Sequence, residues 1–297
     1  MAYRYNRINW QNKPNVATPI SAENLNKMDK GIDDNDKAIG DLAQLNTSNK
    51  SSLVSAVNEL NNNLDDKFPD NAGAHNSIFR GKYLGSSVTA AQYTAISSGS
   101  FEDLYIGDYW TIGGINWRIA AFNYYINTGD SAVSVNHIVI VPDQSLYSHA
   151  MNDTDTTEGG YIGSKMYTEG LEQAKTIINN AFSGHVVTFR AYLCNAVTDG
   201  KASAGVWVDS TVDLMNEIMV YGSVVNGVAT YGLHNIGTEK SQLPLFVLNS
   251  RSINTRYSYW LRDIASAMHF ALVSHCGIAT RVSARYSYAV RPRFLIS

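Results

Sequence analysis

The spacing of apolar residues changes along the chain. Apolar positions recur at heptad spacing from residue 21 to residue 66, and beyond that they alternate or cluster in short runs. A heptad pattern predicts helices that bury one seam, whereas alternation and short apolar runs predict strands. We therefore expect an α+β fold class, with an N-terminal α-helical segment followed by a mixed domain.

The heptad segment has twelve core positions, of which eight are apolar and four are Asn. The a positions are Leu25, Ile32, Ile39, Asn46, Leu53 and Leu60, and the d positions are Met28, Asn35, Leu42, Asn49, Ala56 and Asn63. Asn at such positions sets the register and strand number of coiled coils. We predict a coiled-coil stalk over residues 21 to 66 that associates in parallel as a homotrimer. A dimer stays open as an alternative, because Leu, Ile and Asn at the core positions do not settle the strand number. Another alternative is two amphipathic helices that pack on their own chain.

Local signals predict further elements. Helix breakers at residues 46 to 52 predict an interruption of the stalk, after which Ser51 or Ser52 caps a second helix. Residues 67 to 100 are expected to form a connector with one short helix near residues 89 to 96. In the domain from residue 101 to 297, Gly113-Gly114 predicts a β-hairpin. Helices are expected at 165 to 182 and 210 to 221, and strands at 136 to 142, 243 to 248, 257 to 261, 270 to 274 and 288 to 296.

Residues 257 to 297 combine large apolar anchors with residues that follow neither a strand period nor a helix period for long. Packing alone does not select these intervening residues, so we expect them to form a surface held by the anchors. They are His269, Leu272, Ser274, His275, Cys276, Ile278, Thr280, Arg281, Val282, Ser283, Arg285, Tyr286, Ser287 and Tyr288.

The anchors of this segment carry a resemblance to a known group. They are Trp260, Leu261, Arg262, Asp263, Phe270, Gly277, Ala279, Ala284, Val290, Arg291 and Pro292. In these residues the segment resembles the variable region of phage receptor-binding proteins diversified by a retroelement, the group that includes the phage major tropism determinants. The resemblance implies a C-type-lectin-like fold for residues 101 to 297. It also implies that the intervening residues are the ones that contact a ligand.

The N-terminal residues 1 to 20 are rich in Asn and Pro, which predicts an extended arm. The arm resembles the N termini of tail and baseplate proteins from phages of Gram-positive hosts, where it attaches to the particle. The expected function is that of a phage tail receptor-binding protein, located in the virion tail. Its partners would be other tail proteins and a host cell-surface ligand, either a glycan, a cell-wall polymer or a protein. The alternatives are a structural tail or baseplate subunit and a polysaccharide-modifying enzyme.

Composition narrows the function classes. The formal net charge is −3 and charged residues make up 16% of the chain, which excludes a globally basic nucleic-acid binder. The 18 Tyr residues suit a binding surface, because Tyr supplies contact area at low entropic cost. The chain has no apolar run long enough for membrane insertion and no signal-peptide pattern, so we expect synthesis in the host cytoplasm.

Catalytic and metal-binding motifs such as HExxH, CxxC and GxSxG do not occur in the sequence. We therefore predict no enzyme activity, no cofactor and no metal site. The acidic loop with Asp153, Asp155 and Glu158 is interpreted as solvated rather than as a calcium site. His137 lies in an apolar run and is interpreted as a core residue. The two cysteines do not indicate a disulfide framework, although one bridge between them stays open as an alternative; they are Cys194 and Cys276.

The C-terminal part is rich in Arg, with seven Arg and no Lys from residue 251 onward. Arg281 and Arg285 are candidates for binding phosphate or carboxylate groups through forked hydrogen bonds. Three other Arg residues are expected to hold the scaffold by pairing with acids such as Asp263 or Asp209. They are Arg262, Arg291 and Arg293.

Overall fold

Two units make up the chain in the computed structural model, Met1–Pro69 and Asp70–Ser297. The structure describes residues 20–131, 133–198, 201–227, 239 and 241–297. The arm predicted for residues 1 to 20 therefore lies outside the described residues, apart from Ile20. The boundary between the units falls within the segment predicted as a connector. The rest of that segment belongs to the second unit, where Ile96 is fully buried.

The described part of the first unit contains two α-helices, α1 (Ala22–Ile39) and α2 (Leu53–Lys67). The hydroxyl of Ser52 accepts a hydrogen bond from the Ser55 backbone N–H at 3.0 Å, which satisfies a free donor at the start of α2. Gly40 ends α1 in a conformation with φ of 73°. The predicted interruption and the Ser52 cap are therefore confirmed.

The apolar heptad side chains of the first unit stay exposed in the single chain. Leu25 is 50% exposed, Ile32 is 67% exposed and Leu60 is 63% exposed. Among the residues of α1 and α2, Ala56 alone is buried. The two helices therefore present an apolar stripe that stays exposed among the described residues of this unit.

The second unit has an α+β fold, as expected from the sequence. Its α-helices are α3 (Ala72–His75), α4 (Ala90–Ser98), α5 (Leu171–Ala181), α6 (Glu217–Tyr221) and α7 (Pro244–Leu248). Its first nine strands are β1 (Tyr83–Gly85), β2 (Tyr109–Ile112), β3 (Ile115–Phe122), β4 (Ile138–Pro142), β5 (Tyr147–Ala150), β6 (Val186–Val187), β7 (Phe189–Thr198), β8 (Lys201–Ser210) and β9 (Val212–Leu214). The remaining strands are β10 (Tyr259–Ile264), β11 (His269–Val273), β12 (Ala279–Ser283), β13 (Ser287–Val290) and β14 (Pro292–Ile296).

The described strands form three sheets. The largest has the order β1-β2-β3-β4-β14-β6, with β9 also paired to β14. A second, five-stranded sheet has the order β12-β11-β10-β13-β5, and β7 and β8 form a separate hairpin. Strand β14 is central to the large sheet and β10 is central to the five-stranded sheet. Both strands are almost entirely buried, so the core of the unit surrounds them.

Several local predictions are confirmed. Gly113 and Gly114, with φ of 62° and 77°, connect β2 to β3, and two consecutive positive φ angles are what a type I′ hairpin turn requires. Thr89 and Gln92 form a capping box at the start of α4. The helix expected at residues 165 to 182 is present, but its first turn is a π-helix, Met166–Gly170, which leads into α5.

Two element predictions are wrong. Residues 243 to 248 form the helix α7 rather than a strand, and Pro244 occupies its first position, where the missing N–H costs nothing. Residues 210 to 221 form strand β9 followed by the short helix α6 rather than one helix. Asn216 caps α6. The spacing of Ser210 and Asp213 resembles a capping box and favoured the helix, but Asp213 lies in β9 and is fully buried. An apolar run of this length does not distinguish strand from helix by its pattern alone.

His137 is a core residue, as predicted. It is fully buried, its Nε2 accepts from the Tyr125 backbone N–H at 3.1 Å, and Nδ1 lies 2.9 Å from the Val135 carbonyl oxygen. Burial lowers the pKa of His137 to about 4. The imidazole is therefore neutral at pH 7 and satisfies local backbone groups.

A buried cluster of ions joins the two larger sheets. Arg262 of β10 lies 3.0 Å from the carboxylate of Asp213 on β9, and it also pairs with Glu239. Arg293 of β14 pairs with Glu239 and lies 3.6 Å from Asp213. The hydroxyl of Tyr161 donates a further hydrogen bond to Asp213. The two positive and two negative groups compensate one another, which offsets much of the cost of burying them.

Arg291 fixes the point where the chain passes from one sheet to the other. It lies between β13, in the five-stranded sheet, and β14, in the large sheet, so the strand predicted at residues 288 to 296 is divided there. Its guanidinium donates to the carbonyl oxygens of Pro142 and Ser252 at 2.9 Å and to the Tyr259 hydroxyl at 3.3 Å. The crossing is thus held by hydrogen bonds to neighbouring elements.

The scaffold role predicted for the three framework Arg residues is confirmed, but the acids expected as their partners are wrong. Asp209 pairs with Arg190 at 3.0 Å instead. The carboxylate of Asp263 accepts the backbone N–H of Glu217 at 2.7 Å. Asp263 is next to Arg262 in the sequence. In the fold, however, the acids near the guanidinium groups of Arg262 and Arg293 are Asp213 of β9 and Glu239.

Replacing Arg262 with Ala should lower the free energy of unfolding by about 3 to 5 kcal/mol, because two buried carboxylates lose a compensating charge. Urea unfolding followed by circular dichroism measures the change. The matched control is Arg281→Ala, which removes an exposed Arg on β12 and should cost less than about 0.5 kcal/mol. Equal losses in the two variants would contradict the structural role of the cluster.

Candidate functional site

The predicted contact residues gather along one edge of the five-stranded sheet. Strand β12 forms this edge and pairs with β11, and a turn flanks β12 at each end. We call the surface formed by β12 and the turns 274–278 and 284–287 the candidate face. Seven predicted contact residues are exposed there, namely His275, Cys276, Ile278, Arg281, Arg285, Tyr286 and Ser287. Six others are half-buried, namely His269, Ser274, Thr280, Val282, Ser283 and Tyr288.

The turn 274–278 is held rigidly although its side chains are exposed. The backbone N–H of Ser274 donates to the Ile278 carbonyl at 2.8 Å, and the Ser274 hydroxyl accepts from the Ile278 N–H at 3.0 Å. Gly277 has φ of 83°, which a residue with a side chain rarely adopts. Its carbonyl accepts from the Tyr221 hydroxyl at 3.0 Å. The exposed Ile278 side chain is therefore displayed on a fixed backbone.

The turn 284–287 is anchored by Ala284, which is fully buried. Arg285 pairs with Asp155 at 3.2 Å, and its guanidinium lies 5.4 Å from the ring centroid of Tyr286. Tyr286 is 48% exposed. The pair therefore presents a cation and an aromatic ring side by side on a tethered turn.

Leu272 does not belong to the candidate face. It is 2% exposed and lies in β11, which is flanked by β10 on one side and β12 on the other. Its side chain packs in the core, so it cannot contact a ligand without unfolding the sheet. Tyr288 is also partly structural, because its ring packs edge-on against Trp260 with centroids 5.3 Å apart.

The comparisons with known proteins add no relative. No protein-family model, curated protein or solved structure matches the chain. Of the helices described, none has the length and apolar character needed to cross a membrane. Within the described residues, no group of three or more His, Cys, Asp or Glu side chains could hold a metal ion. What the candidate face can bind has to follow from its own chemistry.

That chemistry is mixed and suits recognition of a larger ligand. Within the described part of the chain, Arg281 has no ion pair, whereas Arg285 is already paired with Asp155. Arg281 is therefore the cation available to an anionic group of a ligand. Tyr286 supplies aromatic contact area, and Cys276 is a free, exposed thiol. The side chain of Cys194, the other member of the possible bridge, lies outside the described side chains. Such a mixture offers ionic, aromatic and polar contacts on one rigid edge.

The acidic loop predicted to be solvated packs next to the candidate face. Asp153 pairs with Lys165 at 2.6 Å, and Asp155 pairs with Arg285. The backbone N–H of Asn152 donates to the Ala284 carbonyl at 3.0 Å. No sequence pattern indicates this neighbourhood, because residues 152 and 284 are far apart in the chain. The candidate face is thus continuous with a loop that the sequence pattern did not include.

Two acidic residues, Glu217 and Asp263, come together where α6 packs against β10. Glu217 is fully buried, and its carboxylate accepts backbone N–H groups of Val225 and Gly227 at 2.8 Å each. Asp263, at the framework position next to Arg262, accepts the Glu217 backbone N–H. Burial and then the Glu217 carboxylate raise the pKa of Asp263 to about 7, against the opposing effect of Arg262. The folded chain therefore holds a proton on Asp263 that an unfolded chain would lose.

Stability should fall as the pH rises from about 4 to about 7, because the pKa of Asp263 is higher in the folded chain than its ordinary value of about 3.9. Asp263→Asn removes this titration. The free energy of unfolding of the variant, measured relative to the parent by urea unfolding at several pH values, should therefore increase across this interval. A constant offset between Asp263→Asn and the parent across this interval would contradict the raised pKa.

Proposed function

We propose that this chain is a phage tail receptor-binding protein whose candidate face contacts a ligand on the host-cell surface. The observation that carries the proposal is that eleven of the fourteen predicted contact residues lie on one edge strand and its two turns, over a buried framework. The other three, His269, Leu272 and Tyr288, lie in β11 and β13. Thirteen of the fourteen are exposed or half-buried. A surface of this kind lets side chains change while the backbone stays fixed, which suits recognition of variable ligands.

The organisation of the second unit supports a C-type-lectin-like domain as part of this proposal. A hairpin of β2 and β3 comes first, helices α5 and α6 follow, and the short strands β10 to β14 complete the unit. This order agrees with the C-type-lectin-like fold that the resemblance of residues 257 to 297 implies. The anchors of that resemblance also behave as a framework, since Trp260 and Phe270 are fully buried.

The first unit supports a role as a stalk. Its apolar heptad residues are exposed in the single chain, and association of parallel copies would bury them. Three copies would bring three candidate faces together. Weak binding at each face would then add up through a high effective concentration. The arm at residues 1 to 20 would attach such a trimer to other tail proteins in the virion.

Association through the stalk predicts that the purified chain has three times its 32.6 kDa mass in light scattering coupled to size-exclusion chromatography. Ile32→Lys combined with Leu60→Lys should give the mass of a single chain, because both changes place charge in the apolar seam. The control, Asn26→Lys with Asn62→Lys, adds the same charge at b and c positions and should keep the parent mass. A monomeric parent would contradict the stalk.

Receptor binding predicts adhesion of the labelled parent to at least one strain in a panel of Gram-positive bacteria. Arg281→Ala combined with Tyr286→Ala should weaken adhesion by at least about tenfold, because exposed Arg and Tyr residues dominate binding surfaces. The control, Tyr83→Ala with Arg251→Ala, removes exposed residues of the same types outside the candidate face.

Circular dichroism should give both variants the melting temperature of the parent. Equal adhesion of the two variants would contradict the site. A parent that binds no strain but associates with other tail proteins through the candidate face would favour the structural-subunit alternative.

A further inference from the structure

An open polar groove of ≈ 510 Å³ lies on the loop between β5 and the π-helix that precedes α5. It is separate from the fourteen residues predicted to contact a ligand. The side chains that matter to its chemistry are Asn152, Asp153, Thr156, Glu158, Lys165 and Glu169. The groove is wide enough for a ligand of moderate size, since ligand sites generally fall in the range of about 300 to 1,000 Å³.

The loop that forms the groove is tied to the candidate face at several points. The backbone N–H of Thr157 donates to the Ala267 carbonyl at 2.9 Å, and the Thr157 hydroxyl donates to the Ser266 carbonyl at 2.9 Å. Arg285 pairs with Asp155, which lies in sequence between two threonines of the groove. A chain-like ligand bound at the turn 284–287 could therefore continue into the groove.

The shape of the groove is fixed before any ligand binds. The side chain of Asn152 is buried, donates to the Thr156 carbonyl at 2.7 Å and accepts the Lys165 backbone N–H at 2.9 Å. Gly163 approaches Gly159 so closely that a Cβ on Gly163 would lie 2.7 Å from the Gly159 carbonyl oxygen. A rigid loop of this kind reduces the entropic cost of binding.

The charge of the groove excludes an anionic ligand. Three carboxylates line it against one ammonium group, and that ammonium group, on Lys165, is already paired with Asp153 at 2.6 Å. Glu158 and Glu169 are exposed, and neither has an ion pair among the described residues. Phosphate or carboxylate groups of a ligand would be repelled here, in contrast to the Arg-bearing candidate face.

The lining also disfavours a peptide. None of its residues has a large apolar or aromatic side chain, whereas peptide grooves rely on pockets for such side chains. The lining offers carboxylates, hydroxyls and an amide, which accept and donate hydrogen bonds. Neutral sugar rings present many hydroxyl groups and match this inventory. A hydrogen bond from a hydroxyl group to a charged carboxylate is stronger than one between two neutral groups.

We propose that the groove binds a neutral sugar residue of a host-surface glycan through hydrogen bonds from its hydroxyl groups to the carboxylates of Glu158 and Glu169. This inference rests on the proposed receptor-binding function and names the ligand class for it. The glycan would lie partly in the groove and partly on the candidate face. Its neutral part would occupy the groove, and any anionic substituent would meet Arg281.

Saturation-transfer difference NMR on the full chain tests the proposal with the methyl glycosides of glucose, galactose, N-acetylglucosamine and rhamnose. The parent should transfer saturation to at least one of them. Glu158→Gln combined with Glu169→Gln should weaken binding of that glycoside by roughly tenfold, because hydrogen bonds to a charged acceptor are replaced by weaker ones. The control, Glu172→Gln, changes an exposed carboxylate outside the groove and should bind like the parent.

Two results would overturn the proposal. One is the absence of saturation transfer from the parent to all four glycosides, and the other is equal binding by the parent and the double variant. Transfer to a hexalysine peptide but to no glycoside would assign the groove to a cationic peptide instead.

Adhesion of the labelled chain to the bacterial panel distinguishes failure of the sugar-site proposal from failure of the proposed receptor-binding function. Adhesion without glycoside binding would remove only the groove proposal. Glycoside binding without adhesion to any strain would remove the receptor-binding proposal and leave the sugar site.

Discussion

The buried ion cluster is the interaction on which the rest of the second unit depends. Arg262 belongs to the sheet that carries the candidate face, Arg293 belongs to the large sheet, and the two share Asp213 and Glu239. Apolar packing between sheets is non-directional and tolerates sliding, whereas shared ion pairs permit one relative position. Because burying charge brings little net stability, we interpret the cluster as a device that fixes geometry. It holds β10 in place in the sheet that carries the face, where β11 separates β10 from the edge strand β12.

Much of the fold was predictable where local chemistry decides the structure. The Ser52 cap, the Thr89 capping box and the Gly113-Gly114 turn each act within a few residues, so the sequence alone reveals them. Predictions failed where distant contacts decide. Asp213 has helix-cap spacing from Ser210, but buried guanidinium groups draw it into β9. The hairpin of β7 and β8 was missed, although the Asp-Gly pair at residues 199 and 200 is a hairpin signal in the sequence.

The candidate face was predictable in outline, because the anchors and the intervening residues differ in type. Sequence could not separate the exposed members from Leu272, since exposure depends on whether a strand lies inside a sheet or at its edge. It also gave no reason to include Asn152 and its loop. That loop contacts the face through backbone hydrogen bonds, such as the bond from the Asn152 N–H to the Ala284 carbonyl. Because these bonds join backbone groups, the pattern of side chains in the sequence does not reveal them. Contacts between backbone groups far apart in the chain are visible only in the folded structure.

The position of β12 explains how a surface could vary without loss of the fold. Arg281 lies opposite Ala271 of β11 and has no described neighbouring strand on its other side, so its side chain is exposed. A substitution there changes contacts with a ligand but removes no core packing, and surface changes of this kind usually cost less than about 0.5 kcal/mol. Truncating Leu272 on the next strand would leave a cavity and cost about 2 to 5 kcal/mol. We therefore expect tolerance to substitution at the exposed positions of β12 and its turns, and little tolerance at the buried positions of β11.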